Sequence, residues 1–167
     1  MRYAAIMPND VVDGEGVCVS LWMQGCPNRC KGCHNPELWD PRGGIEKEFD
    51  DIIGEILDLL KKNGVNRNFS ILGGEPLAEL NSNYIWARLI LQRIKEVYPE
   101  TKTYLWTGYT YEKLNKAQRS VLQYADVLID GPYIQEQRNI TLKLRGSSNQ
   151  RVINMQETIN RGEIVLW

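Results

Sequence analysis

The chain has 167 residues, a net charge of −1 at pH 7, 43% hydrophobic residues and 25% charged residues. These values are typical of a globular protein, and the length predicts one domain over residues 1–167. The nearly balanced charge provides no basic surface for nucleic acid or an anionic membrane, so we expect neither partner. No apolar run approaches the ~20 residues of a membrane span, and the first residues lack a secretory pattern, so we expect a cytoplasmic protein.

The hydrophobic pattern predicts strands that alternate with helices. Residues 1–16 form an opening segment that ends in a polar, glycine-bearing turn, and the apolar run Val17–Met23 predicts a buried strand. A cysteine-rich loop follows, and apolar residues at helical spacing then run from about Glu46 to Asn63. The later predicted elements are, in order, a strand at 69–72, a helix at about 83–97, a strand at 102–106, a helix at 111–122 and a strand at 126–130.

Three unusual segments follow directly after predicted strands. They are the cysteine loop after Met23, Gly73-Gly74 after Leu72, and Thr107-Gly108 after Trp106. The alternation of strands and helices predicts a parallel sheet built from right-handed βαβ units. Because the carboxyl ends of parallel strands share one edge, we expect these segments to converge on a single active site.

Three of the four cysteines, Cys26, Cys30 and Cys33, lie within eight residues, spaced x3 and then x2. A disulfide between two of them would leave the third unpaired, whereas a soft metal or an iron–sulfur cluster would use all three. The fourth, Cys18, is separated from the loop by about five strand residues at ~3.3 Å each. A four-iron cluster here would therefore keep one iron free of protein ligands, and that iron could bind a substrate or cofactor.

Zinc is the alternative that the residues leave open. Cys26, Cys30, Cys33 and the adjacent His34 could form a Cys3His site. All four ligands would then crowd into the nine residues 26–34, whereas structural zinc sites usually draw on two separate segments.

The triad has the C-x3-C-x2-C spacing of radical S-adenosylmethionine (SAM) enzymes, and the string CPNRCKGCHNPELWD, residues 26–40, resembles the activating proteins of glycyl-radical enzymes. More narrowly, the chain resembles the activating proteins of anaerobic ribonucleoside-triphosphate reductase. The resemblance extends over nearly the whole chain, through segments 9–16, 73–76, 106–109 and 145–150.

The resemblance implies an α/β fold, an open, partial β/α barrel of the radical SAM type with a parallel sheet and helices on its outer face. It implies a 4Fe–4S cluster held by Cys26, Cys30 and Cys33, which are then the catalytic and metal-binding residues. In this family SAM chelates the fourth iron, and one electron cleaves it to methionine and a 5′-deoxyadenosyl radical. That radical abstracts hydrogen from a glycine of the partner.

The implied cofactor-binding residues are Gly32, Cys33, His34, Gly73, Gly74, Glu75, Pro76 and Thr107. The family assigns segment 73–76 to the amino group of SAM, which fits glycines that let a ligand approach the backbone and a nearby carboxylate. Gly32 agrees with the narrower activating-protein group. His34 occupies the position that is aromatic in this family and would lie near the adenine of SAM. Alternatively, it is a proton carrier or a ring with only a packing role. Thr107 lines the adenosine side or turns the chain.

The implied partners are a glycyl-radical enzyme, the large subunit of anaerobic ribonucleotide reductase, and an electron donor such as flavodoxin or ferredoxin. An activase of another glycyl-radical enzyme and a small-molecule radical SAM enzyme are alternatives with the same chemistry. A zinc-binding interaction module is the alternative without catalysis. Segment 145–150 is a polar surface loop that we expect to concern the partner or the edge of the site.

Overall fold

A computed structural model describes the whole chain, residues 1–167. Its strands are β1 Arg2–Asp10, β2 Cys18–Met23, β3 Ile45–Glu46, β4 Asn68–Gly73, β5 Thr103–Trp106, β6 Val127–Asp130 and β7 Arg151–Asn154. Its α-helices are α1 Phe49–Lys61, α2 Asn83–Val97, α3 Lys116–Arg119 and α4 Met155–Arg161. The strands form one sheet in the order β3-β1-β2-β4-β5-β6-β7.

The four central strands, β2, β4, β5 and β6, are parallel, so their carboxyl ends lie at one edge of the sheet. At that edge Met23 pairs with Gly73, and Trp106 pairs with Ile129. β1 runs antiparallel to β2 and β3, and β7 runs antiparallel to β6. β3 and β7 are the outermost strands, so the sheet is mixed and open. That it is a partial barrel of the radical SAM type stays a prediction.

Helices pack against one face of the sheet. In α1, Ile52, Ile56 and Leu60 recur at four-residue spacing, which places them on one side of the helix. They are fully buried and join Leu21 and Ile71 of the sheet in a core cluster of 23 residues. Burial of a side chain of this size contributes about 1.5–3 kcal/mol. This face therefore anchors the strands whose ends carry the predicted site.

The segment between β1 and β2 folds against the opposite face. Ser20 and Ser70 are paired neighbours on β2 and β4. Ser20 Oγ donates to Asp10 Oδ2 at 2.6 Å, and Ser70 Oγ donates to the carbonyl oxygen of Asp13. The Tyr104 hydroxyl, on β5, donates to the Glu15 carboxylate at 3.2 Å. These bonds bring the polar turn at residues 12–16 onto the sheet.

The first strand, β1, covers residues that the sequence pattern marks only as an opening segment. They include Pro8, which lacks an N–H and argues against a central strand. In the fold, Pro8 lies in the stretch between Met7 and Asp10 where the pairing of β1 with β2 is irregular, and β3 pairs with β1 only at Arg2 and Tyr3, so β1 accommodates a residue without an N–H. Pairing with β2 creates this strand, and no local pattern reveals it.

The continuous helix predicted at 111–122 is wrong. Residues 111–113 and 122–124 are 3-10 turns, and only the four residues of α3 are α-helical. Leu114 is extended and buried, which interrupts the helix. Asn115 then starts α3 with a capping box, in which its side chain accepts from the Gln118 N–H at 2.9 Å.

The C-terminal pair β7 and α4 has no counterpart in the sequence pattern, because β7 is defined by its pairing with β6 and not by an apolar run of its own. None of the helices has the length and apolar character needed to cross a bilayer.

Candidate active site at the carboxyl edge of the parallel strands

A cavity of about 270 Å³ opens at the carboxyl ends of β2, β4 and β5. Sequence-predicted residues that line it are Cys26, Cys30, Cys33, His34, Gly73, Gly74, Glu75 and Thr107. Gly32 and Pro76 are not part of the lining. The structure thus brings the cysteine loop, the glycine pair and the threonine segment to one cavity, because parallel pairing places the three strand ends side by side.

The three cysteines of the loop are partly buried, free thiols. The loop turns back on itself, since the Cys33 N–H donates to the Cys30 carbonyl at 3.1 Å. A backbone N–H group also faces one of the sulfurs. The Asn35 N–H donates to Cys33 Sγ at 3.4 Å. Such N–H···S bonds are the means by which proteins stabilise cluster thiolates.

Burial makes two of these thiols, those of Cys26 and Cys30, weaker acids in the metal-free protein. It raises the pKa of Cys26 to about 11, although the N–H groups of Asn28 and Arg29 act in the opposite direction. Burial also raises the pKa of Cys30. Both thiols are therefore protonated at neutral pH, and binding of a metal or cluster must displace those protons.

The donor set of the cavity fits a cluster held by three protein sulfurs. The three thiols share one lining, and the indole N–H groups of Trp22 and Trp39 in the same lining are buried without a hydrogen-bond partner. Unpaired buried donors suit a group rich in acceptors. No three cysteine, histidine or carboxylate side chains converge as a preformed metal site, so the sulfurs line the cavity without meeting at one point.

His34 is exposed at the rim of the cavity, where its ring packs against Tyr133 with the centroids 5.5 Å apart. The neighbouring Gly32 has φ +72°, and a Cβ there would lie 2.7 Å from the Gln135 side chain. The segment that starts at Gly131 therefore packs closely along the cysteine loop. Nothing in the sequence pattern indicated this contact.

The glycine pair lies directly against the start of the cysteine loop. Gly73 has φ +98°, which favours glycine, and a Cβ on Gly74 would lie 2.5 Å from the Gly25 carbonyl oxygen. Two bonds join the segments: the Gly74 N–H donates to the Met23 carbonyl at 2.9 Å, and the Glu75 N–H donates to the Gly25 carbonyl at 3.0 Å. Close backbone packing is thus a reason for these glycines besides access for a ligand.

Glu75 is fully buried, and both of its carboxylate oxygens are used within the protein. Oε1 accepts from Thr107 Oγ1 at 2.7 Å and from the Leu77 N–H at 3.0 Å. Oε2 accepts from the Gly108 N–H and from Asn28 Nδ2, each at 2.8 Å. Burial raises the pKa of Glu75, while these four bonds favour the ionised form. Direct contact of Glu75 with a ligand stays a prediction.

Sequence reasoning missed several residues of the lining, among them Asp13, Trp22, Asn28, Trp39 and Tyr133. Asp13 has a pKa raised to about 7 by burial and by the neighbouring charge of Asp10. A polar glycine-bearing turn was the only signal for Asp13, and it indicates a surface loop equally well.

The segment at 145–150 lies at the edge of the cavity. Gly146 and Gln150 belong to the lining. Gln150 holds the segment in place, because its Oε1 accepts from the Gly146 and Ser147 N–H groups at 2.9 and 3.1 Å and its Nε2 donates to the Gly131 carbonyl at 3.0 Å. This polar loop is thus a wall of the site.

Comparison with known proteins gives this cavity a family context. A family described as "4Fe-4S single cluster domain" matches residues 12–153. An anaerobic ribonucleoside-triphosphate reductase-activating protein of Haemophilus influenzae is 40% identical over 90% of this chain and 96% of its own length. A protein of the same name from Vibrio cholerae is 39% identical over 90% of this chain and 96% of its own length. The one from Escherichia coli K12 is 35% identical over 93% of this chain and 100% of its own length.

The similarity covers all three segments that line the cavity and confirms the family predicted from the cysteine spacing and the accompanying strings. The chain carries a 4Fe–4S single cluster domain and belongs to the family of anaerobic ribonucleoside-triphosphate reductase-activating proteins.

Proposed function

We propose that this protein activates an anaerobic ribonucleoside-triphosphate reductase by reductive cleavage of SAM, as a radical SAM enzyme. One observation carries the proposal: in a chain of this family, Cys26, Cys30 and Cys33 share a cavity with the glycine pair of β4 and the Thr107 segment. Family membership supports the reductase as the partner. The shared cavity supports a cofactor bound beside a cluster.

Cys26, Cys30 and Cys33 would hold a 4Fe–4S cluster as thiolates. When bound, the cluster supplies the electron that cleaves SAM to methionine and a 5′-deoxyadenosyl radical, the species that takes hydrogen from a glycine of the reductase. A reduced flavodoxin or ferredoxin is the expected donor of that electron.

The chain's own residues would bind SAM and shield the radical from water. Gly73 and Gly74 leave the backbone bare at the end of β4, where a cationic amino group can approach closely. Trp22, Trp39 and Tyr133 form aromatic walls that limit the access of water to a reactive radical. The N–H group of Asn35 stabilises negative charge on the sulfur of Cys33.

The test is anaerobic incubation of the reconstituted protein with the reductase large subunit, SAM and a reductant, followed by electron paramagnetic resonance. We expect a glycyl radical signal on the reductase that requires both SAM and the activator. A fully loaded iron–sulfur protein that gives no such signal would refute the proposal, and a colourless protein with stoichiometric zinc would support the interaction module instead.

Two cysteine variants give this experiment a matched control. Cys30→Ala removes a thiol that lines the cavity, and we expect loss of cluster and of SAM cleavage. Cys18→Ala removes the buried thiol on β2, which is not part of the cavity lining, and we expect the iron content and the glycyl signal to be retained. Retained SAM cleavage in Cys30→Ala contradicts the ligand assignment.

A further inference from the structure

Asn28 lies between Cys26 and Cys30, and its side chain reaches out of the cysteine loop. Its Nδ2 donates to Glu75 Oε2 at 2.8 Å, and that oxygen also accepts from the Gly108 N–H. One carboxylate oxygen therefore joins three segments of the cavity wall: the cysteine loop, the segment after β4 and the segment after β5.

Gly108 forms one side of the slot that holds Asn28. A Cβ on Gly108 would overlap the Asn28 amide nitrogen and would lie 3.2 Å from its Cγ. No positive φ requires glycine at this position, so the restriction comes from the asparagine side chain. The carboxamide is thus held by a charge-assisted hydrogen bond and by close packing.

The rest of the loop is weakly attached through its side chains. Between Cys26 and Cys33, the only other side-chain hydrogen bond to another part of the protein is that of Lys31 Nζ to Glu136 at 2.6 Å. Both partners of that bond are exposed, with 78% and 64% of their side-chain surface accessible. An exposed pair of this kind contributes little, whereas a hydrogen bond to a buried carboxylate is strong.

We propose that Asn28 is a positioning residue that, through Glu75, presets the cysteine loop before the cluster binds. The inference rests on the proposed function only in that it takes Cys26 and Cys30 as cluster ligands. Asn28 touches neither iron nor substrate in this role. It fixes the backbone between two ligands, so that the loop need not be ordered by the cluster itself.

The test is Asn28→Ala, with Lys31→Ala as the matched control in the same loop. The readout is hydrogen exchange of two bonded amides in the metal-free protein: the Cys26 N–H, which donates to the Trp39 carbonyl at 3.4 Å, and the Cys33 N–H, which donates to the Cys30 carbonyl. We expect this exchange to be at least about tenfold faster in Asn28→Ala, the factor expected for loss of a hydrogen bond to a charged group. Lys31→Ala should exchange as the wild type does. Equal exchange in Asn28→Ala and Lys31→Ala overturns the proposal.

Measurements on the reconstituted cluster distinguish a role of Asn28 in positioning the cysteine loop from an effect on the stability of the whole protein. After anaerobic reconstitution we expect Asn28→Ala to bind less iron per chain and to give a broadened resonance of the reduced cluster, while the metal-free variant stays folded with a thermal midpoint only a few degrees below that of Lys31→Ala, the decrease expected for one lost hydrogen bond. Full iron loading with an unchanged signal would show that the loop needs no presetting by Asn28.

A second variant, Gly108→Ala, tests the same contact by moving the Asn28 side chain while residue 28 stays asparagine. Gly108→Ala should force the carboxamide aside and speed loop exchange as Asn28→Ala does. In the double variant Asn28→Ala, Gly108→Ala, the new methyl group has room, so exchange should match that of Asn28→Ala alone. Additive effects in the double variant would mean that Gly108 acts on the loop by another route, and the proposal would fail.

These measurements are independent of the glycyl radical experiment, because exchange is followed without metal and iron is counted without SAM or reductase. Loss of the glycyl signal in a protein whose exchange behaves as expected counts against the proposed function alone. Unchanged exchange in Asn28→Ala in a protein that activates the reductase counts against this inference alone.

Discussion

At the scale of single residues, one buried and one half-buried carboxyl group shape the cavity. Glu75 accepts four hydrogen bonds from three segments, and Asp13 reaches the lining from the turn before β2. The sequence could predict that the three thiols bind a metal or a cluster, since three cysteines at this spacing are typical of such a site. The sequence could not predict the hydrogen bonds of Glu75, because two of the donors are far away in the chain: Asn28 lies 47 positions before Glu75, and Gly108 lies 33 positions after it.

Asp13 should make the stability of the protein depend on pH. Because its pKa is raised to about 7, the stabilisation from its protonated form is fully present below the unfolded value near 3.8 and is lost as the pH rises through 7. Burial opposes ionisation of Asp10 too, but hydrogen bonds led by that of Ser20 lower its pKa, so Asp10 titrates below this window.

We therefore expect the denaturant midpoint of the metal-free protein to fall between pH 4 and pH 8 in the wild type, and to fall less in Asp13→Asn. The exposed Asp58→Asn on α1 is the control and should follow the wild type. Parallel pH profiles for the wild type and Asp13→Asn would show that Asp13 titrates normally.

At the scale of elements, the cavity is built from strand ends that pack backbone against backbone. The predicted strands at 17–23, 69–72, 102–106 and 126–130 correspond to β2, β4, β5 and β6, since short apolar runs bounded by glycine or polar residues mark them clearly. β1 and β7 depend on pairing with a distant strand, and the helix at 111–122 is interrupted by the buried, extended Leu114. Local patterns carry no information on such tertiary constraints.

Gly74→Ala should destabilise the junction between β4 and the cysteine loop. The new Cβ would meet the Gly25 carbonyl oxygen, which is backbone and cannot turn aside, so we expect the free energy of unfolding to drop by about 1–3 kcal/mol. Thermal unfolding measures this, at about 2–4 °C per kcal/mol for a chain of this size.

Gly54→Ala is the control for that experiment. Gly54 lies on the exposed side of α1 with open space around its Cβ position, so alanine should stabilise the helix by up to about 1 kcal/mol. A Gly74→Ala protein as stable as the wild type would mean that the two loops are not in close contact.

At the scale of the whole molecule, β7 connects the far side of the sheet to the cavity. Arg151 opens this strand and binds two carboxylates: its Nε donates to the buried Asp130 at 2.9 Å, and its two terminal nitrogens reach Glu112 at 2.8 Å each. Asp130 is only 1% exposed, and this ion pair lies at the end of β6, next to the segment that leads to Tyr133. The sequence revealed a polar loop at 145–150 but not its attachment through β7.

Arg151→Met should leave the Asp130 carboxylate buried without a cation. Removing one partner of a buried pair typically costs on the order of 3 kcal/mol, and we expect a decrease of that size in chemical denaturation. Arg93→Met is the control, because Arg93 pairs with Glu96 at 3.4 Å on the exposed surface of α2, where such pairs contribute less than about 1 kcal/mol. If Arg151→Met and Arg93→Met lost the same free energy of unfolding, the Asp130 carboxylate would have to be solvated by water and not buried.

The outer side of β1 has a consequence for how this chain behaves in a crowded solution. Beyond Tyr3 that side carries no neighbouring strand, and an unpaired strand normally invites a strand of another molecule to add to it. Pro8 has no N–H to donate to an added strand, and the register of β1 against β2 is irregular between Met7 and Asp10, a feature that typically bends a strand away from a flat ladder. The sheet can therefore stay open without seeding intermolecular aggregation.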